Sequence, residues 1–216
     1  CTSPALGVKP YEPAYKLFSD DADKERHVYI PENQTIDTTN PDKWILPPNT
    51  RLYKTFKKNG KLVETRKIEK GTNGEWTFET YAWFPDQKHV RRVVTEKRDW
   101  LESNHDIPDS DPAKEYGACN DCHKLYMGGA EPILGFSAIQ LHPSRATGQT
   151  LTALNDNKIL RPRVEPETAL VPGSQPAQDA LGYMHANCGN CHRDGRQLGM
   201  DLLVPTNLTK VSETPF

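Results

Sequence analysis

The chain has no run of 18 apolar residues, no excess of basic charge and few cysteines. Without such a run, no segment is suited to cross a membrane as a helix. A net charge of −2 means that the chain has no excess of positive charge, which argues against nucleic acid as a partner. Hydrophobic residues make up 35% of the 216 residues, and the mean hydropathy is −0.76. The core that this composition can build is therefore lean for the length of the chain.

Four of the five cysteines fall into two short motifs. Cys119-Asn120-Asp121-Cys122-His123 and Cys188-Gly189-Asn190-Cys191-His192 both read C-x-x-C-H. This is the attachment signature of c-type haem: the thiols bond to the haem edge and the adjoining histidine is the proximal iron ligand. One helical turn places both sulfurs and the imidazole on the same side of the ring. The sequence therefore predicts two covalent haem c groups, with iron bound by His123 and His192.

The same cysteines allow two other interpretations. A four-cysteine zinc site keeps its C-x-x-C pairs about 15–20 residues apart, whereas 66 positions separate Cys122 from Cys188. A thioredoxin-like redox pair requires a βαβ context, which neither copy has. The histidine directly after each pair favours haem over both alternatives.

The sequence predicts an α+β chain in three parts. Residues 1–15 are an extended anchor or linker, 16–112 a β-rich domain, and 113–216 a di-haem c-type cytochrome domain, mostly helical and rich in loops. In the β-rich part, strand-like segments at 52–56 and 61–68 flank Asn59-Gly60, a strong hairpin signal. Further strands are expected at 75–84 and 89–95, which favours an antiparallel β-sandwich or barrel-like module. The two motifs are expected on helices at 113–127 and 177–192.

The fifth cysteine is Cys1, followed by the small residues Thr2 and Ser3. This beginning is typical of a mature bacterial lipoprotein, in which the signal peptide is cut just before a lipid-bearing cysteine. A chain boundary that happens to fall on cysteine is the alternative. A lipid on Cys1 would anchor the protein to a membrane surface, and stable anchoring takes more than one acyl chain. Because c-type haem is attached outside the bacterial cytoplasm, the expected location is the periplasm or cell surface, with the outer membrane favoured.

Several short stretches together resemble a family of bacterial exported di-haem c-type cytochromes. They are Leu17-Phe18-Ser19-Asp20 with Lys24 and Arg26, Trp44, Pro47-Pro48, Lys54-Thr55-Phe56, Glu64-Thr65-Arg66, Tyr81-Ala82-Trp83, the motif at 119–123, Leu134-Gly135-Phe136 with Gln140-Leu141, and Leu181-Gly182-Tyr183-Met184-His185-Ala186-Asn187-Cys188. The resemblance implies a β-rich N-terminal region, two covalent haems, export and electron transfer. Family members usually continue to a later methionine-proline segment, which this chain, ending at Phe216, lacks. The sixth ligand of the second haem is therefore left open.

The candidates for the distal side of the irons are His185, His142 and Met200. His185 is one helical turn before Cys188, too near to cross over its own haem, and is the first choice as distal ligand of the first haem. His142 is the second choice, since Gly128, Gly129 and Pro132 let the chain return over the ring. For the second haem, Met200, a histidine of the β-rich part and a residue of another chain all stay open.

Three functions are compatible with these residues. The favoured one is an electron relay between redox partner proteins, either lipid-anchored or as a subunit of a larger assembly with other chains. A di-haem peroxidase-like enzyme would need one open iron position and a distal acid–base group. A binding module would use aromatic residues of the β-rich part, namely Trp76, Tyr81 and Trp83, with the haems as accessories.

Overall fold

The structure, a computed structural model, describes residues 7–111, 119, 122–123, 131–193 and 201–206. The chain forms two compact units, each assembled from three segments. Unit 1 contains Cys1–Pro10, Ser19–Gln34 and Pro47–Asp121, and unit 2 contains Tyr11–Phe18, Thr35–Leu46 and Cys122–Phe216. The predicted domain boundaries after residues 15 and 112 stay predictions.

The strands of the described residues are short and follow one another closely. In chain order they are β1 (Lys9–Glu12), β2 (Asp23–Tyr29), β3 (Ile36–Asp37), β4 (Arg51–Lys58), β5 (Lys61–Lys70), β6 (Trp76–Trp83), β7 (Val90–Val93), β8 (Thr147–Gly148) and β9 (Leu160–Arg161). Unit 1 is built on a sheet in which β7, β6, β5, β4 and β2 lie side by side in that order. Each neighbouring pair among these strands is antiparallel.

The β4–β5 hairpin confirms the turn predicted from the sequence. Lys58 pairs with Lys61, so the connection is the two residues Asn59 and Gly60. Both have positive φ, 51° and 76°, as a type I′ turn requires. The four predicted strands correspond to β4–β7, with ends that differ by at most two residues. The antiparallel, β-rich character of this part is therefore confirmed.

Two features of the sheet differ from the sequence prediction. No strand was predicted before residue 52 in the β-rich part, yet β2 lies there and pairs with β4 from Asp23↔Lys57 to Tyr29↔Arg51. The strand order is also linear, so the sheet of the described residues is not closed as a barrel would be.

The core of unit 1 contains two small apolar clusters that share one tryptophan. Ala22, Phe56 and Val63 form the first, and Ala82, Val93 and Ile107 form the second. Trp100 packs against both, and its indole Nε1 donates to the carbonyl of Trp83 at 2.8 Å. Because both clusters are small, polar side chains fill part of the space beneath the sheet.

Unit 2 is rich in loops within its described residues. Its α-helices there are α1 (Leu151–Asp156) and α2 (Gln175–Asn187), and Pro166–Ala169 form a short 3₁₀ helix. The second half of β1 pairs with β8, and β3 runs parallel to β9. The mostly helical character predicted for 113–216 is not seen in this described part. Prolines contribute to the difference, since Pro162 and Pro172 lie outside helices and Pro166 begins only the short 3₁₀ helix. Nowhere in the described ranges is a helix long and apolar enough to span a membrane.

Candidate haem-binding sites

The second motif forms a turn at the carboxyl end of α2. The helix begins after Ser174 with Pro176 in its first turn, as predicted, but ends at Asn187 instead of continuing to residue 192. Cys188 and Gly189 donate their N–H groups to the carbonyl of Met184 at 2.8 and 2.9 Å. The N–H groups of Cys191 and His192 then both bind the carbonyl of Cys188, at 3.0 and 2.9 Å. A single tight turn therefore contains both cysteines and the histidine.

Gly189 is required by how closely the chain packs at this turn. A Cβ atom at this position would lie 2.8 Å from the carbonyl oxygen of Leu202 and 2.9 Å from that of His185. The neighbouring backbone is fixed, because Leu202 donates its N–H to the carbonyl of His192 at 2.8 Å. The variable position after Cys188 therefore accepts only glycine without a shift of the main chain.

The first motif is described at Cys119, Cys122 and His123. Cys119 is half-buried and Cys122 is exposed. The predicted helix at 113–127 otherwise lies outside the described residues. None of the four motif cysteines, all of which are described, is in a disulfide bond.

His123 is held in the tautomer that an iron ligand needs. Its Nδ1 lies 2.7 Å from the carbonyl oxygen of Pro132. A carbonyl can only accept, so the proton of the neutral ring is on Nδ1. The lone pair is therefore on Nε2, and such a hydrogen bond fixes the ring orientation of metal-binding histidines.

The first-choice distal ligand, His185, has the opposite arrangement. Its Nδ1 accepts the backbone N–H of Val204 at 3.2 Å, which leaves the proton of the neutral ring on Nε2. The side chain is buried, and burial lowers the pKa of His185 to about 4. To bind iron through Nε2, the ring would have to give up the bond from Val204 and move its proton. His185 stays a predicted ligand that must first change its partner.

The side chain of His142 also has hydrogen-bond partners. Its Nδ1 lies 2.7 Å from Oγ of Ser144 and accepts the N–H of the same residue at 3.2 Å. Burial lowers the pKa of His142, while a hydrogen bond with the backbone of Pro166 and the charge of Glu167 partly offset that effect. Both ring nitrogens therefore already have partners in unit 2.

Two further predicted site residues belong to parts of the chain that the structure does not describe. Cys1, the predicted lipid-bearing residue, and Met200, the methionine candidate for the second iron, lie outside the described residues. Within the ranges that are described, no group of three or more His, Cys, Asp or Glu side chains is arranged to hold a metal ion.

A small cleft, with about 60 Å³ of enclosed space, opens in unit 2 beside the second motif. Its apolar walls are formed by Trp44, Leu46, Ile133, Phe136, Ile139 and Val204. His185, Asn190 and Arg193 also line it. The enclosed space is well below the range of about 300–1,000 Å³ that cofactor and small-molecule sites occupy.

The aromatic residues considered for a binding module are engaged within the sheet of unit 1. Trp83 is buried, and its Nε1 donates to Oγ1 of Thr65 at 2.9 Å. The hydroxyl of Tyr81 donates to Glu79 at 3.0 Å. Lys70 lies over the half-buried ring of Trp76, 5.7 Å from its centroid. These contacts fit a structural role for the three aromatic rings.

A buried charged cluster in unit 1 was missed by sequence reasoning. His105 lies between two carboxylates, with Nδ1 2.5 Å from Asp20 and Nε2 2.9 Å from Glu64. Glu64 is fully buried and accepts two hydrogen bonds from Arg66, at 2.5 and 3.0 Å. Burial lowers the pKa of His105, but the hydrogen bonds and charges of the two carboxylates outweigh it, so the pKa is raised.

Three cations form a row across the same sheet. Arg26 pairs with Lys54 across β2 and β4, and Lys54 pairs with Arg66 across β4 and β5. Burial, followed by the charges of Arg66 and Arg26, lowers the pKa of Lys54 to about 7. Burial lowers the pKa of Arg66, but the charge and hydrogen bonds of Glu64 outweigh burial, so that the pKa is raised. The register of the β4–β5 hairpin was the available signal, since it aligns Lys54 with Arg66.

Comparison with models of known protein families, with curated proteins and with solved structures finds no match to this chain.

Proposed function

We propose that the chain is a di-haem c-type cytochrome that carries electrons outside the bacterial cytoplasm. Cys119 and Cys122 would hold one haem c, and Cys188 and Cys191 the other. His123 and His192 would be the proximal iron ligands. When bound, the haems supply one-electron chemistry, and the protein sets their potentials through ligands, burial and nearby charge.

The observation that carries this proposal is the pair of motifs together with the orientation of His123. The hydrogen bond from Nδ1 to Pro132 leaves Nε2 as the metal-binding atom, as a proximal ligand requires. At the second motif, one turn contains both thiols and the imidazole. The donor set of each motif, two thiols and one imidazole, therefore fits the group that the motifs imply.

The location and partners follow from the chemistry of attachment. Covalent haem and a lipid on Cys1 would place the protein in the periplasm or at the cell surface, anchored to a membrane, with the outer membrane favoured. Its partners would be redox proteins, and it would serve as a lipid-anchored relay or as a subunit of a larger redox assembly with other chains.

Potentiometric titration with optical and EPR detection tests the electron-transfer function. The expected result is two reversible one-electron steps, low-spin iron in both haems and rapid electron exchange with an external redox protein. Haems that stay reduced or oxidised across the accessible range of potentials would contradict it.

A peroxidase-like enzyme is the second candidate, and the two histidine candidates favour it. His185 and His142 both accept hydrogen bonds at Nδ1, so neither presents a lone pair on Nε2. If neither changes its partner, one iron keeps an open position. A high-spin haem that binds cyanide rapidly and turns over peroxide would support the enzyme, whereas two low-spin haems without peroxide turnover would support the relay.

A further inference from the structure

Positively charged side chains are aligned on one face of the sheet in unit 1. Arg26 of β2 pairs with Lys54 of β4, and Lys54 pairs in turn with Arg66 of β5. Lys24 lies two residues before Arg26 on β2, so its side chain belongs to the same face. Like charges directly opposite each other on neighbouring strands are destabilising. The register of the sheet therefore holds several cations in positions where they repel one another.

The same cations surround one aromatic ring. Phe56 is fully buried, and the guanidinium carbon of Arg66 lies 4.6 Å from its ring centroid. The ammonium nitrogens of Lys54 and Lys24 lie 5.2 and 6.0 Å from that centroid. Positive charge is therefore concentrated in a small volume around Phe56.

The carboxylates beside this cluster already have partners. Glu64 accepts two hydrogen bonds from Arg66 and lies 2.9 Å from Nε2 of His105. Asp20 lies 2.5 Å from Nδ1 of the same histidine. The two carboxylates raise the pKa of His105, so the ring adds a further positive charge near neutral pH. Glu64 and Asp20 are therefore shared between His105 and the guanidinium of Arg66.

Lys54 is the cation of the cluster that lacks an anion. Its side chain is half-buried, and its ammonium group has no hydrogen-bond acceptor or ion-pair partner among the described residues. Burial lowers its pKa to about 7, together with the charges of Arg66, Arg26 and Lys24, whereas the charge of Glu64 acts in the opposite direction. Because an ammonium group has three N–H donors and no acceptor, this position indicates an anion from outside the described chain.

We propose that Lys54, with Arg26 and Arg66 on either side, binds a free divalent oxyanion of the sulfate or phosphate kind. Such an ion supplies two negative charges and several acceptor oxygens, and charge-assisted hydrogen bonds from ammonium and guanidinium groups are strong. Since Lys54 is only half-buried, the ion can enter from solution. The inference does not depend on the proposed function.

Isothermal titration of the full chain with sulfate, against chloride at matched ionic strength, is the first test. We expect saturable binding of one sulfate ion to the wild type near pH 6 and at least about tenfold weaker binding to Lys54→Met, because the variant keeps the size of the side chain but loses the ammonium group. Lys61→Met is the matched control, since Lys61 is exposed at the start of β5. Equal binding to both variants would indicate ionic screening only and would overturn the proposal.

The pH dependence of sulfate binding is the second test, because sulfate keeps its charge over the whole interval. Its affinity for the wild type should fall about tenfold between pH 6 and pH 8, as Lys54 loses its proton. Lys54→Arg should still bind sulfate and lose most of this decrease, the remainder coming from His105. If Lys54→Met does not fold, these two profiles decide. Wild-type affinity that is constant with pH, or equal pH dependence in Lys54→Arg, would contradict the proposal.

A carboxylate of haem is the other source of an anion, and two double variants distinguish it. Cys119→Ala with Cys122→Ala removes the first haem, and Cys188→Ala with Cys191→Ala removes the second. Sulfate binding that is absent from the protein with both haems and present in one of these variants would show that haem fills the site, which would overturn the proposal of a free ion. A polypeptide without haem that binds sulfate through Lys54 would refute only the proposed function.

Discussion

The two units treat their buried polar groups differently. In unit 1, His105 and Glu64 are satisfied by other side chains of the same unit: Asp20, Arg66 and each other. In unit 2, the indole N–H of Trp44 is buried beside a small cleft without an acceptor among the described residues. Unit 1 also leaves one buried polar atom without a partner there, Oδ1 of Asp20, but it places its buried charges against one another. The difference between the units is therefore the pairing of buried charges in unit 1, and an unpaired neutral donor at a cleft in unit 2.

If the second motif carries haem as proposed, removal of that haem should have the largest effect, and the effect should be confined to unit 2. In Cys188→Ala with Cys191→Ala, we expect amide exchange in α2 to accelerate by more than about tenfold, or about 1.4 kcal/mol, because α2 ends at the motif that would hold the haem. Hydrogen exchange followed by mass spectrometry measures this, with the β4–β5 hairpin as internal reference. Equal acceleration of amide exchange in α2 and in the hairpin would contradict the expected difference between the units.

Glu64→Gln should be the most damaging single change in unit 1. The amide keeps the shape of the side chain but removes the anion that pairs with Arg66 and one of the two carboxylates that pair with His105. We expect a loss of about 3 kcal/mol in the free energy of unfolding, as for other buried pairs that lose one partner. Glu25→Gln is the matched control: Glu25 pairs with Lys57 at 2.5 Å but is 52% exposed, so its loss should cost less than about 1 kcal/mol. Similar urea midpoints for the two variants would refute this account of the cluster.

Gly182→Ala tests the packing of α2 within unit 2. A Cβ atom at this position would lie 2.0 Å from Cε1 of Tyr15, so the tyrosine ring would have to move. We expect a loss of about 2 kcal/mol in the free energy of unfolding, which is typical of an overpacked core. Tyr15→Ala in the same chain should reduce the added cost of the alanine, which a double-mutant cycle from thermal denaturation measures. Fully additive losses would show that the two residues do not contact each other in solution.

The stability of unit 1 should depend on pH through two opposing contributions. The pKa of His105 is raised, so its stabilising contribution is complete below the ordinary value of 6.5 and is lost as pH rises through the folded-state pKa. The pKa of Lys54 is lowered from 10.5 to about 7, so between these values the unfolded state binds more protons than the folded state. Over that interval, Lys54 makes stability rise with pH.

Lys54→Met separates these two parts. The free energy of unfolding of the variant should no longer rise between about pH 7 and pH 10. Only the decrease in that free energy caused by His105 should remain. Urea denaturation at intervals between pH 6 and pH 10 measures the difference. Lys61→Met, at an exposed position of β5, controls for the removal of one positive charge. Parallel profiles for wild type and Lys54→Met would show that Lys54 keeps its ordinary pKa.

The features that could be predicted from the sequence are those that depend on neighbouring residues. Asn59 and Gly60 set the hairpin by their own backbone preferences, and period-two patterns set the strands on either side. The two C-x-x-C-H motifs are equally local, since five consecutive residues contain both thiols and the histidine, and the haem binding that they predict stays a prediction. Cys1 and Met200 lie outside the described residues, and their roles stay predictions.

The features that were missed depend on residues far apart in the chain. His105 meets Glu64 across 41 positions and Asp20 across 85, and no local pattern reveals either contact. The cleft brings Trp44 to the same site as Arg193, although the two are distant in sequence. The extent of α2 was overestimated for a similar reason. Its end depends on the close approach of Leu202 to Gly189, which a helical pattern does not show.

The intact mass of the denatured protein tests the central claim most directly. The protein would be matured in a bacterial periplasm as the Cys1→Ser variant, so that no lipid adds to the mass. We predict the mass of the polypeptide plus two haems, with the added groups in peptides that contain Cys119–Cys122 and Cys188–Cys191. A mass equal to that of the bare polypeptide, from cells that attach haem to another c-type cytochrome, would contradict the account.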